Sequence, residues 1–227
     1  TISNRYLQDH IEAIIQHEIV NWTNLNSPFS IEELMKRMIT QTKNSIKPNK
    51  YSSGIISSRP TDIILTQDIL DHIFIRFKEK MHPILSLIKD KMESLNVPKE
   101  LSYELLTRIT LSALLSTITD TNELTGHSIP HHSSIMVNDF INAGGLINGQ
   151  LTSQDTDRFN FITILVLLLH DIGYSVSCCE GPSGSKPKAL HSLESAITFN
   201  KMYHPIIQKI LIATGYTKEI TDEIMMA

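Results

Sequence analysis

Apolar residues recur along this chain at intervals of three and four, the repeat that keeps side chains on one face of an α-helix, and no stretch alternates like a half-buried strand. In "YLQDHIEAIIQHEIVNW" (residues 6–22) they fall at Leu7, Ile11, Ile14, Ile15, Ile19 and Trp22, which predicts a first helix. "SPFSIEELMKRMIT" sets Ser30 three residues before Glu33. This capping box, in which each side chain serves the other residue's orphan N–H, predicts a second helix to about residue 43. Residues 43–61 collect Ser, Pro, Gly and Asn and read as a loop or linker. From residue 62 the helical period holds for about thirty residues, with a bend expected at Pro83, whose ring removes a donor and crowds the preceding turn.

Pro98 opens the next helix, "KELSYELLTRITLSALLSTI". Further helices are expected from about residue 131 to 142, closed by Gly144 and Gly145, and from about 155 to 172, stopped at Gly173. "SVSCCEGPSGSKPKA" reads as a loop, and "LHSLESAITFNKMY", "HPIIQKILIAT" and "TKEITDEIMMA" as the closing helices. With no internal repeat and no strand pair in view, the pattern predicts an all-α fold. It divides into residues 1–98, an accessory or dimerisation region without a motif, and residues 99–227, a helical domain that carries the chemistry.

Composition narrows the setting. A chain of 227 residues can bury a sizeable core without covalent staples. Its two cysteines, Cys178 and Cys179, are adjacent, a poor arrangement for a structural bridge, and fit a reducing, cytoplasmic compartment. A net charge of −4 leaves no electrostatic footprint for non-specific nucleic-acid binding. The longest apolar run, residues 162–169, falls far short of the roughly 20 residues a membrane span needs. The opening "TISNRYLQDHIEAII" lacks the basic-then-apolar order of a secretory signal. His10 and His17 stand two turns apart on the first helix, too far to share an ion, and with Glu18 they are expected at the surface.

One run does not end as a core helix should. "FITILVLLLHDIGYS" passes from buried apolar residues straight to His170 and Asp171, and an ionised carboxylate without a partner costs several kcal/mol to bury. A hydrogen bond, an ion pair or a metal cation would satisfy the pair. The negative end of the helix dipole favours a cation there. Consecutive residues splay by about 100° on a helix, so the two side chains can grip one ion only where the helix ends, and Gly173 is expected to supply that turn.

"HDIGY" after a buried helix, "HHSSIMV" about forty residues upstream and "HSLESA" about twenty downstream together resemble the HD-domain metal-dependent phosphohydrolases. The likeness covers residues from about 102 onward and implies an HD-domain-like helical bundle with additional N-terminal helices. It implies His132, His170 and Asp171 as metal ligands, with His131 and His127 as alternatives to His132, and His191 as ligand to a second metal. One or two divalent ions are implied, and imidazoles with a carboxylate suit Mn, Fe, Ni, Co or Zn, with Mg a further candidate. Such an ion activates water for attack on phosphorus. Asp171 would bridge the metals or orient the water, with Glu194 as a candidate proton donor. Lys186, Lys188 and Arg158 are candidates by position to neutralise the phosphate, and "EGPSGSK" to cover the substrate.

The expected substrate is a small phosphate mono- or diester, a nucleotide foremost, and a homodimer is compatible with the extra helices. Two other readings stay open: a degenerate HD module used for signalling or protein interaction, and a di-iron oxygenase on the same scaffold. Tyr174 stands where the cyclic-di-GMP-cleaving subgroup has lysine, which disfavours that substrate. The resemblance also requires a terminal aspartate in a helix after "TKEITDEIMMA". Asp222 is the one late aspartate before Ala227, so the ligand set is expected to be completed beyond that residue.

Overall fold

The helical repeat is realised in each described segment. The computed structural model describes residues 4–25, 29–45, 67–120, 129–143, 153–172 and 186–226, and among these there is no strand. In chain order they form α1 (Asn4–Leu25), α2 (Ile31–Ser45), α3 (Gln67–Ser94) and α4 (Lys99–Asp120). A π-helical turn (Ile129–Ser133) leads into α5 (Ser134–Asn142), followed by α6 (Ser153–Leu169), α7 (Lys186–Met202), α8 (His204–Ala213) and α9 (Lys218–Met226). The all-α expectation holds, and no helix among the described residues is long and apolar enough to cross a membrane.

The ends of the helices follow local chemistry. Ser30 Oγ accepts the Glu33 backbone N–H at 3.1 Å and so starts α2. Pro83 lies inside α3, which continues through it. α7 begins at Lys186, so residues 186–189 are helix where the composition reads as loop. The reason is Pro187, the second residue of that helix: within a first turn a proline forfeits no intrahelical bond and its fixed φ suits the helix. Gly144, Gly145, Gly173, Cys178, Cys179 and the 46–61 part of the expected loop lie outside the described residues.

α4 is the centre of the packing, and every residue from 105 to 114 is buried. α1, α2, α3, α8 and the π-helical turn all pack on it. A helix surrounded on all sides must be apolar or self-satisfying all round. Leu105, Leu106, Ile109, Leu111, Ala113 and Leu114 supply the first property. Thr110 supplies the second by returning its hydroxyl to the Leu106 carbonyl at 2.6 Å. Trp22, Phe29 and Tyr103 close the α1–α2–α4 junction as an aromatic cluster, with the Trp22 and Tyr103 rings stacked at 4.8 Å and Phe29 edge-on to Tyr103 at 5.0 Å. The core therefore runs continuously across residue 98.

Candidate functional site

α6 delivers the polar pair. Phe161, Ile164, Leu165, Leu168 and Leu169 are buried, and the helix packs on α3, α5 and the π-helical turn. The His170 N–H still reaches the Val166 carbonyl at 2.9 Å, but the Ile172 N–H turns back to Leu169 at 3.0 Å, so the helix closes at Leu169, three residues before the expected end at about 172. This tight turn brings together two side chains that an uninterrupted helix would splay.

His170 Nε2 stands 3.2 Å from Asp171 Oδ2. His170 Nδ1 lies 2.9 Å from the Leu167 carbonyl, which can only accept, so Nδ1 carries the proton and the ring is fixed with Nε2 toward the carboxylate. Asp171 is 8% exposed, and the His170 side chain is one-third exposed, so the carboxylate sits beneath the imidazole rim. Two donor atoms each about 2.1 Å from one tetrahedral or octahedral ion stand roughly 3.0–3.4 Å apart, so the observed spacing suits chelation. A ring whose other nitrogen donates to a backbone carbonyl is also the usual state of a metal-ligating histidine. The pair thus fits a divalent ion in type, tautomer and spacing. It makes two donors, and among the described residues no cluster of three or more His, Cys, Asp or Glu gathers.

The other candidates are placed by their elements. His132 belongs to the π-helical turn, which packs on α3, α4 and α6. Ser116 of α4 fixes the start of that turn: its Oγ accepts the Ile129 N–H at 3.1 Å and donates to the Ala113 carbonyl at 2.9 Å. His191, Glu194, Lys186 and Lys188 belong to α7, with His191 four residues before buried Ser195. The side chains of His131, His132, Lys186, Lys188, His191 and Glu194 lie outside the described residues, as does His127 altogether.

Arg158 and Asp222 have structural occupations. Arg158 stands twelve residues before His170 on α6, about 18 Å along the helix axis. Its guanidinium bonds Asp155 at 3.2 Å and the Thr214 carbonyl, and lies 5.1 Å from the Tyr216 ring centre. It clamps α6 to the α8–α9 turn, at the end remote from His170. Asp222, on α9, accepts a hydrogen bond from Gln208 of α8 at 2.7 Å.

No family model, no curated protein and no solved structure matches this chain.

Two polar networks lie outside the sequence motifs. Glu18, expected at the surface, is 3% exposed, with its carboxylate taking bonds from Gln41 and, at 3.5 Å, from Tyr103. The correction has a plain cause: position 18 is seven after Ile11, three after Ile15 and four before Trp22, so it lies in the apolar stripe itself. Burial and the Glu18 charge push the Tyr103 hydroxyl up to about 12. The second network centres on buried Arg108, whose own carbonyl accepts the Tyr203 hydroxyl at 2.9 Å; that hydroxyl also reaches Ser112 at 2.7 Å. Arg108 interrupts "LLTRITLSALL", the signal that singles out His170 and Asp171: a charged residue within an apolar run.

Proposed function

We propose that this chain is a cytoplasmic metal-dependent phosphohydrolase that cleaves a small phosphate mono- or diester, such as a nucleotide. The observation that carries the reading is the His170–Asp171 pair at the C-terminal end of α6, with its 3.2 Å donor spacing and its Nδ1 tied to Leu167. Support also comes from the order of the "HHSSIMV", "LLLHDIGY" and "HSLESA" segments in the sequence.

His170 and Asp171 would hold one ion together with His132, and His191 would serve a second. When bound, the ion supplies polarisation of a water and of a phosphoryl oxygen. The protein's part is positioning. The Leu167 carbonyl, an acceptor, orients the His170 ring through Nδ1, which would leave Nε2 to a bound ion. Asp171 is 8% exposed, so its charge would be less screened by water than a surface carboxylate's in acting on a nearby cation or on the proton of a positioned water.

Elemental analysis of the purified protein, with phosphate release from a nucleotide panel in Mn(II) or Ni(II), tests this. Stoichiometric metal and hydrolysis are expected, each lost in His170→Ala and in Asp171→Asn while the far-ultraviolet circular dichroism is retained. Absence of a transition metal, with His170→Ala indistinguishable from the parent, would overturn the proposal in favour of an interaction module. Activity that demands O₂ and iron would replace it with an oxygenase.

A further inference from the structure

The N-terminal helices carry a polar cleft lined by groups of both charges. α1 and α2 line an open groove of about 510 Å³, a volume suited to a small ligand. At its floor lies the Glu18 carboxylate, almost wholly buried. A carboxylate has about four acceptor sites. Here Gln41 donates to one, Tyr103 stands at 3.5 Å, and the nearest Arg37 nitrogen is 3.8 Å away, outside hydrogen-bond range. Arg37 instead gives its Nε–H to Glu33 at 3.3 Å. The buried charge thus has two neutral donors, with Arg37 at 3.8 Å and the His17 ring at 3.9 Å both outside hydrogen-bond range, an arrangement that a cationic donor in contact would stabilise.

The rim supplies the opposite sign. Lys36 lines the same cleft, is exposed, and makes no ion pair among the described residues. The lining carries two carboxylates, Glu18 and Glu33, against two cations, Lys36 and Arg37, so its net charge selects neither a cation nor an anion. It selects a molecule with both charges. We propose that the α1–α2 cleft binds a small zwitterion, with its ammonium group on Glu18 and its carboxylate on Lys36. The bound molecule bridges two helices that both pack on α4, so it consolidates the accessory region. This inference is independent of the metal reading.

The protein carries its own probe. Trp22 is its single tryptophan, stacks on Tyr103 and follows Asn21, which lines the cleft. Trp22 fluorescence and calorimetry are followed as the purified protein is titrated with 4-aminobutanoate and 6-aminohexanoate, and with butylamine and butanoate, which carry one charge each. Saturable binding of at least one zwitterion at about millimolar concentration or below is expected, with the single-charge analogues about tenfold weaker or more. Lys36→Ala should weaken the zwitterion about tenfold with unchanged melting temperature. Glu18→Gln should do the same if it folds, and Glu32→Gln, outside the cleft, should leave binding unaltered. If neither zwitterion saturates below about 10 mM, if the single-charge analogues bind equally, or if Lys36→Ala binds like the parent, the proposal fails.

Discussion

The guanidinium of Arg108, on α4, grips the carboxylate of Glu12, on α1, through hydrogen bonds of 2.9 and 3.0 Å, and gives two more, of 2.8 and 3.1 Å, to Glu104. Arg108 is buried, whereas the Glu12 side chain is nearly half exposed, so the two ends of the bridge differ in energetic weight. Arg108→Ala leaves two carboxylates facing a vacated site and is expected to cost about 3 kcal/mol in urea denaturation. Glu12→Gln keeps the shape and loses a solvent-screened charge, and about 1 kcal/mol is expected.

The same bridge predicts an acid limb. Burial alone would raise the Glu12 carboxyl, but its bonds to Arg108 and Gln16 outweigh that, and it sits below its ordinary 4.5. A folded value below the unfolded one contributes stability that is present above pH 4.5 and is lost as the pH falls through the lower folded value. Denaturation midpoints measured below pH 4.5 should therefore fall less steeply for Glu12→Gln than for the parent.

Tyr103 predicts an alkaline limb of opposite sense. Its hydroxyl is raised from 10.0 to about 12 by burial and by the Glu18 charge, against the pull of Arg37. The unfolded chain thus loses this proton first, so the contribution is intact below pH 10 and is lost as pH rises toward 12. Stability measured between those values should drop less in Tyr103→Phe. Absorbance titration of the folded protein should show a phenolate appearing near 12 that is absent from that variant.

The helices are legible because each carries its own repeat and punctuation: Ser30 and Glu33 mark the start of α2 without any tertiary information. The same is true of His170 and Asp171, because polar residues that end an apolar run are conspicuous in one dimension. Their 3.2 Å approach is not legible, since it depends on the Ile172 N–H closing on Leu169 rather than Leu168. Glu18 is legible in position, on the stripe between Ile11 and Trp22, but a scan that scores only apolar residues steps over it to Ile19. Arg158 shows the converse: a cation near a candidate site in sequence is claimed by Thr214 and Tyr216, which only the folded chain brings there.

Gly215 lies against that clamp. Its φ of +99° lies in the region L side chains avoid, and a Cβ there would stand 2.9 Å from Arg158 Nη2. Gly215→Ala is expected to cost about 2 kcal/mol from backbone strain and displacement of the guanidinium. In Arg158→Ala the steric part disappears and the strain remains. A double-mutant cycle should therefore show the alanine at 215 costing less without Arg158 than with it, and equal costs would locate the whole effect in the backbone.

Ser116 couples the central helix to the segment that bears His131 and His132. Its Oγ is the acceptor for the buried Ile129 N–H at 3.1 Å, and the neighbouring Ser134 hydroxyl returns to the Pro130 carbonyl at 2.6 Å, so both ends of the π-helical turn are tied. Ser116→Ala strands a buried backbone donor and should cost about 1–3 kcal/mol. Ser116→Cys preserves the volume with a weaker acceptor and should cost less. If His132 ligates metal as proposed, Ser116→Ala should also lower metal affinity about tenfold or more, as loss of a supporting contact typically does. Leu111→Ala, buried elsewhere on α4, should lower stability by about 3 kcal/mol and leave metal affinity unchanged. Equal effects of the two alanine variants on affinity would show that the turn reports only global stability.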